Sequence, residues 1–160
     1  MVHALHEARR VLRPDGLLLD LRPAAQHRRV GLVQAEHYRE LAVMRETFDD
    51  DRAADRAVKD VEREGLFKAE TRTVFTCNRT MDSLEEFHNW LADFIKLTNQ
   101  PPQDWLIRRV KRALDMTSGK VKIVVSGPLA LRVLRKREVT ARPAPAANVC
   151  SPITKSRRPT

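Results

Sequence analysis

Apolar residues along this chain switch several times between the spacing of a helix and that of a strand. Over residues 1–13, Ala4, Leu5, Ala8, Val11 and Leu12 recur at helical intervals, and Pro14-Asp15-Gly16 then stops the helix with a tight turn. Leu17-Leu18-Leu19-Asp20-Leu21 follows as a strand that is apolar on both faces until Asp20, which demands cover above and below, as in a parallel sheet. Val33, Tyr38, Leu41, Ala42 and Met44 predict a helix near 32–47. Ala53, Ala57 and Val61, beside Ala54 and Val58, predict another near 50–64. Asp49, Asp50 and Asp51 stand at its start, where a helix N-terminus favours negative charge, and Gly65 suits its C-terminal end.

The second half of the chain continues the alternation. Phe67, Ala69, Thr71, Thr73, Phe75 and Cys77 predict one face of a strand over 66–77, with Cys77 packed in the core. Ser83-Leu84-Glu85-Glu86 is a capping box that opens an amphipathic helix, ended by Pro101-Pro102. A further helix near 103–117 buries Leu106, Val110, Ala113 and Leu114. Val121, Ile123 and Val125, then Leu129, Leu131 and Val133, read as a pair of strands separated by Gly127-Pro128. Strands alternating with helices predict an α/β fold with a small, mostly three-stranded sheet over residues 1–138. Residues 139–160 hold Pro143, Pro145, Pro152 and Pro159 with four cations and no acid, and are expected to be a disordered basic tail.

The net charge of +9 is divided between that tail and the body. A basic tail attracts polyanions weakly and reads no bases, so the charge alone does not make a nucleic-acid-binding protein. Within the body, residues 104–138 carry Arg108, Arg109, Lys111 and Arg112 on the predicted helix, and Lys120, Lys122, Arg132, Arg135, Lys136 and Arg137 at the closing strands. That excess supports a binding module with a basic face for nucleic acid or an acidic partner, or more plainly a solvated edge. No run approaches the ~18 apolar residues of a membrane span, and the start has no apolar core of a signal peptide. With two cysteines and no C-x-x-C pair, the expected location is a reducing cytoplasm.

Three residues near the carboxyl end of the first strand form the candidate substrate side: Asp20 as proton or hydrogen-bond acceptor, Arg22 as anion holder and His27 as base. The plainer reading, preferred here, gives Asp20 and Arg22 local partners at a strand end. His3, His6 and Glu7 share a helix face at metal-ligand spacing, but no further ligands accompany them, so no metal site is expected. Trp90 and Trp105 are expected to pack on helices.

The block Glu7, Arg10, Val11, Leu12, Arg13, Pro14, Asp15 and Gly16, followed by the apolar strand, resembles the class I S-adenosylmethionine-dependent methyltransferases position by position. There a helix of pattern E-x-x-R-V-L-K/R-P-G/D-G leads into the fifth strand of a seven-stranded sheet. The resemblance implies a partial Rossmann-like methyltransferase sheet, with a sixth strand at 66–77 and a last strand ending Leu134-Arg135-Lys136. It also implies a cofactor half ahead of this one, since that family binds S-adenosylmethionine through a Gly-rich loop after its first strand. The five glycines here are too scattered to make a G-x-G loop, so no cofactor-binding residue is assigned. S-adenosylmethionine is expected to bind only if an N-terminal half is supplied. The open side of the strand at 17–21 should be apolar, to be covered by that half or by self-association as a homo-oligomer.

Overall fold

The computed structural model describes residues 2–138. In chain order the elements are α1 (Val2–Val11), β1 (Leu17–Pro23), β2 (Arg29–Gln34), β3 (His37–Val43), α2 (Asp49–Arg63), β4 (Phe67–Met81), α3 (Leu84–Thr98), α4 (Asp104–Asp115) and β5 (Lys122–Lys136). The fold is α/β, and its sheet has five strands where about three are expected, all of them paired antiparallel.

β5 is the spine of this sheet. Along one side it pairs with β4 from Lys136 to Ile123. Along the other it pairs first with β1, through Leu129–Arg135, and then with β2, through Lys122–Ser126, so that β1 and β2 lie end to end. β1 and β4 are each antiparallel to β5 and therefore run in the same direction as one another. The expected pair of closing strands is one strand of 15 residues. Pro128 does not break it, because that position faces the β1–β2 connection. Its carbonyl accepts from the Ala24 N–H at 3.0 Å, and the Ala24 carbonyl, which an N–H at that position would use, accepts instead from the Gln26 N–H at 2.7 Å.

The expected helix near 32–47 is instead the hairpin β2–β3. Its two-residue turn is Ala35-Glu36, both with positive φ (44° and 71°), the geometry that strand twist favours in tight hairpins. Neither residue is the Gly or Asn that marks such turns. Of the residues expected to be buried, Met44 is, whereas Tyr38 lies 46% exposed on the sheet.

The remaining helices form where the periodicity puts them. Ser83 Oγ accepts from the Glu86 N–H at 3.1 Å, while Glu86 reaches back to the Asp82 N–H at 2.8 Å. Asp49, Asp50 and Asp51 occupy the first turn of α2, and Gly65 follows it with φ 73°.

Helices cover the two faces of the sheet at opposite ends. Successive side chains of β5 alternate between faces, so Ile123 and Val125 lie on one and Leu134 on the other. α3 and α4 pack on the first, burying Phe87, Leu91, Leu106 and Val110 against Val30, Leu32, Met81, Ile123 and Val125. α1 and α2 pack on the second, burying Leu5, Val58 and Val61 against Phe67 and Leu134. Each face is thus half covered.

A bulge between Ala69 and Thr71 changes the phase of β4. The expected single face from Phe67 to Cys77 is therefore split: Phe67 is buried under α2, whereas Phe75 is 43% exposed and Cys77 is exposed. The core position expected for Cys77 is corrected accordingly, since neither helix pair reaches the middle of β4. Among the described residues no helix is long and apolar enough to cross a membrane. The expected disordered tail lies outside the described residues.

Candidate functional site

The carboxyl end of β1 brings together Asp20 and Arg22 but gives them structural work. Both point to the face covered by α2. The Arg22 Nε lies 3.0 Å from each Asp20 carboxylate oxygen, and its Nη2 lies 2.9 Å from Oδ1 of Asp55 on α2. Its Nη1 donates to the Asp51 carbonyl at 3.3 Å. Arg132, directly opposite Asp20 in the β1–β5 register, donates from Nη2 to the same Asp55 oxygen at 2.6 Å. Two guanidiniums and two carboxylates thus form a charge-balanced cluster between sheet and helix. With its carboxylate so engaged, Asp20 is not presented as a base, nor is Arg22 free to hold an anion.

His27 does not join them. It lies on the β1–β2 connection, exposed, with its ring 4.9 Å from the Phe48 ring at an interplanar angle of 58°. Of the expected trio, only Asp20 and Arg22 meet.

A cavity of about 450 Å³ opens beside them, between the end of β1, the start of α2 and the end of α3; Pro23, Arg28, Phe48, Asp51, Phe94 and Gln100 are among its lining. Its polar groups are largely committed to one another. Glu46, whose side chain is 1% exposed, accepts from the Arg28 backbone N–H at 2.6 Å and from the Arg28 guanidinium. That guanidinium sits 4.6 Å from the centre of the Phe94 ring. Gln100 accepts from the Thr47 N–H at 2.7 Å. Burial holds the Asp51 carboxyl above the usual carboxylate range, against the opposing pull of Arg28 and Arg22.

This cavity does not fit S-adenosylmethionine as the methyltransferase family holds it. No glycine lines it. The two glycines in the middle of the sheet are already covered by side chains: a methyl group at Gly31 would meet the Tyr38 ring at 2.4 Å, and one at Gly127 would meet Arg28 at 3.2 Å. Neither leaves room for a ligand against the backbone.

The expected basic face also divides. Arg132 is buried on Asp55, Arg135 pairs with Glu70, Lys122 lies 2.9 Å from Asp82, and Lys136 donates to the Leu12 carbonyl. The α4 arginines have no such partners among the described residues. Arg108, Arg109 and Arg112 line one groove with Arg39 of β3, Leu41 and Trp105. The α4 part is legible as Trp105, Arg108, Arg109 and Arg112 at helical spacing. Arg39 is not, because the apolar spacing of the hairpin that carries it predicts a helix. His6 and Glu7, two of the residues at metal-ligand spacing, lie beside other partners, with His6 3.7 Å from Glu64 and Glu7 2.8 Å from Arg10. Comparison with protein families, with curated proteins and with solved structures finds none that matches this chain.

Proposed function

We propose that residues 1–138 are the C-terminal half of a class I S-adenosylmethionine-dependent methyltransferase whose methyl acceptor is unassigned, and that this chain alone does not use the cofactor. The observation that carries the reading is β1. Leu17, Leu19 and Leu21 share one face and are 45%, 65% and 57% exposed, while the other face packs Leu18 into the core and places Asp20 and Arg22 in the charge cluster under α2. Its outer edge has no strand beside it among the described residues. A strand of that composition is suited to the interior of a wider sheet, with another strand at its free edge and helices over its open face.

Two further features support this reading. The turn that links α1 to β1, with the Gly16 N–H donating to the Arg13 carbonyl at 3.0 Å, falls on the residues that resemble the methyltransferase block. β1 and β4 run in the same direction, as crossover-linked strands of an α/β sheet do.

The test is the intact mass and N-terminal sequence of the protein from its own cells, with calorimetric titration of S-adenosylmethionine into the 160-residue chain. The expected result is a mass above 18.4 kDa, with a Gly-rich loop ahead of Met1, and no binding by the 160 residues. A native mass of 18.4 kDa, or micromolar binding by the short chain, would overturn it.

A further inference from the structure

Several cations of this fold have no carboxylate partner among the described residues, and four of them, all arginines, line one groove. Arg22, Arg29, Arg132 and Arg135 of the sheet, and Arg28 on the β1–β2 connection, each lie on an acid. By contrast, Arg39, Arg108, Arg109 and Arg112 line one groove of about 550 Å³ between β3 and α4, with no acidic residue in its lining. None of the four is within ion-pair distance of a carboxylate among the described residues. Asp104 and Asp115, at the two ends of α4, do not reach them. Arg39 has only a hydrogen bond to Thr117 Oγ1, at 3.2 Å.

Like charges four residues apart on a helix repel, so Arg108 and Arg112 cost the isolated fold something that a bound anion would return. Leu41, Ala113, Met116 and Trp105 also line the groove; Trp105 is partly buried against the core and carries the Arg45 guanidinium at 5.2 Å from its ring centre.

We propose that this groove binds single-stranded nucleic acid, with phosphates on the four arginines and a base against Trp105. Three properties favour that occupant. Guanidinium forks match phosphate oxygens two at a time, which a lysine face would not do. Arg108 and Arg112 are about 6 Å apart along the helix axis, so they can serve separate phosphates rather than crowd one. An indole in a cationic groove provides a stacking surface that any base can use. An acidic peptide would use the charge and leave the accessible part of Trp105 without a planar partner. This inference is independent of the methyltransferase reading.

The test uses the full 160-residue chain and fluorescein-labelled oligo(dT) and oligo(rU) of twelve nucleotides, followed by anisotropy between 50 and 200 mM salt. Three or four phosphate contacts predict a slope of log K against log salt of about −2 to −3. Arg108→Gln and Arg112→Gln, both at exposed positions, should each reduce that slope by about 0.7 and weaken binding roughly three- to tenfold at the lower salt. Lys59→Gln, exposed on α2, should change neither. Unchanged slopes in both arginine variants would assign any binding to cations elsewhere in the chain and overturn the proposal. Competition by polyglutamate at equal charge would overturn it in favour of an acidic peptide.

Discussion

Replacing Asp55 by alanine should expose how much the fold depends on the charge cluster under α2. Asp55 is the shared acceptor of Arg22 and Arg132. Arg132 is only 4% exposed, and its Nε and Nη1 have no hydrogen-bond partner, so Asp55 is its one ionic contact. Removing one member of a buried pair costs about 3–5 kcal/mol, because the remaining charge is left desolvated. Asp55 itself is 38% exposed, so water can enter the vacated space and bring the cost down to about 2–3 kcal/mol. Against a total stability of about 5–15 kcal/mol that is a large fraction. The assay is urea unfolding, in which the midpoint should fall while the slope stays unchanged. The paired change Asp55→Leu with Arg132→Met should cost less than Asp55→Ala alone, since it removes the stranded charge with its partner and leaves Arg22 on Asp20. A loss below about 0.5 kcal/mol for Asp55→Ala, or strict additivity in the pair, would refute the reasoning.

Four other outcomes are expected. Phe67→Ala should cost about 3–5 kcal/mol and Phe75→Ala under about 1 kcal/mol by the same unfolding assay, because the bulge at Glu70 buries only the first; equal costs would place the two on one face. Changing Ala35-Glu36 to Asn-Gly should stabilise the protein by about 1 kcal/mol, seen as a raised Tm, by relieving two left-handed residues. Asp51→Asn should stabilise at pH 7: a carboxyl raised by burial favours folding fully only below its unfolded pKa, and that contribution is lost as pH climbs through the raised folded value. The gain should vanish by about pH 3, and a loss at neutral pH would mean that the α2 dipole outweighs burial. Sedimentation velocity at tens of micromolar should find the 160-residue chain self-associated through its open sheet face and Leu19→Lys monomeric; a monomeric parent chain would leave that face to another partner.

Much of the candidate site was half legible for a local reason. Asp20 and Arg22 sit two apart on a strand, so their shared face follows from the pleat. Their partners Asp55 and Arg132 come from a helix and a strand far along the chain, and nothing near either residue announces the meeting. The arginine groove divides in the same way. Its α4 side follows from helical spacing, whereas Arg39 arrives through a hairpin whose turn lacks glycine and whose apolar residues at 38, 41, 42 and 44 imitate a helix.

What the sequence by itself determined were the elements whose stabilising contacts lie within a few residues: the four helices, the Ser83 cap, the turn at Pro14-Asp15-Gly16 and the leucine-rich strand after it. Capping, helix dipoles and side-chain periodicity act over one or two turns, so they are readable along the chain. Tertiary structure alone decided that β5 runs unbroken through Pro128, that β1 and β2 share its flank, and that each helix pair covers a different face. Those choices depend on which edge has a gap opposite the proline and on where a single bulge resets the pleat. Pairing of that kind joins residues a hundred positions apart, and only the assembled sheet specifies it.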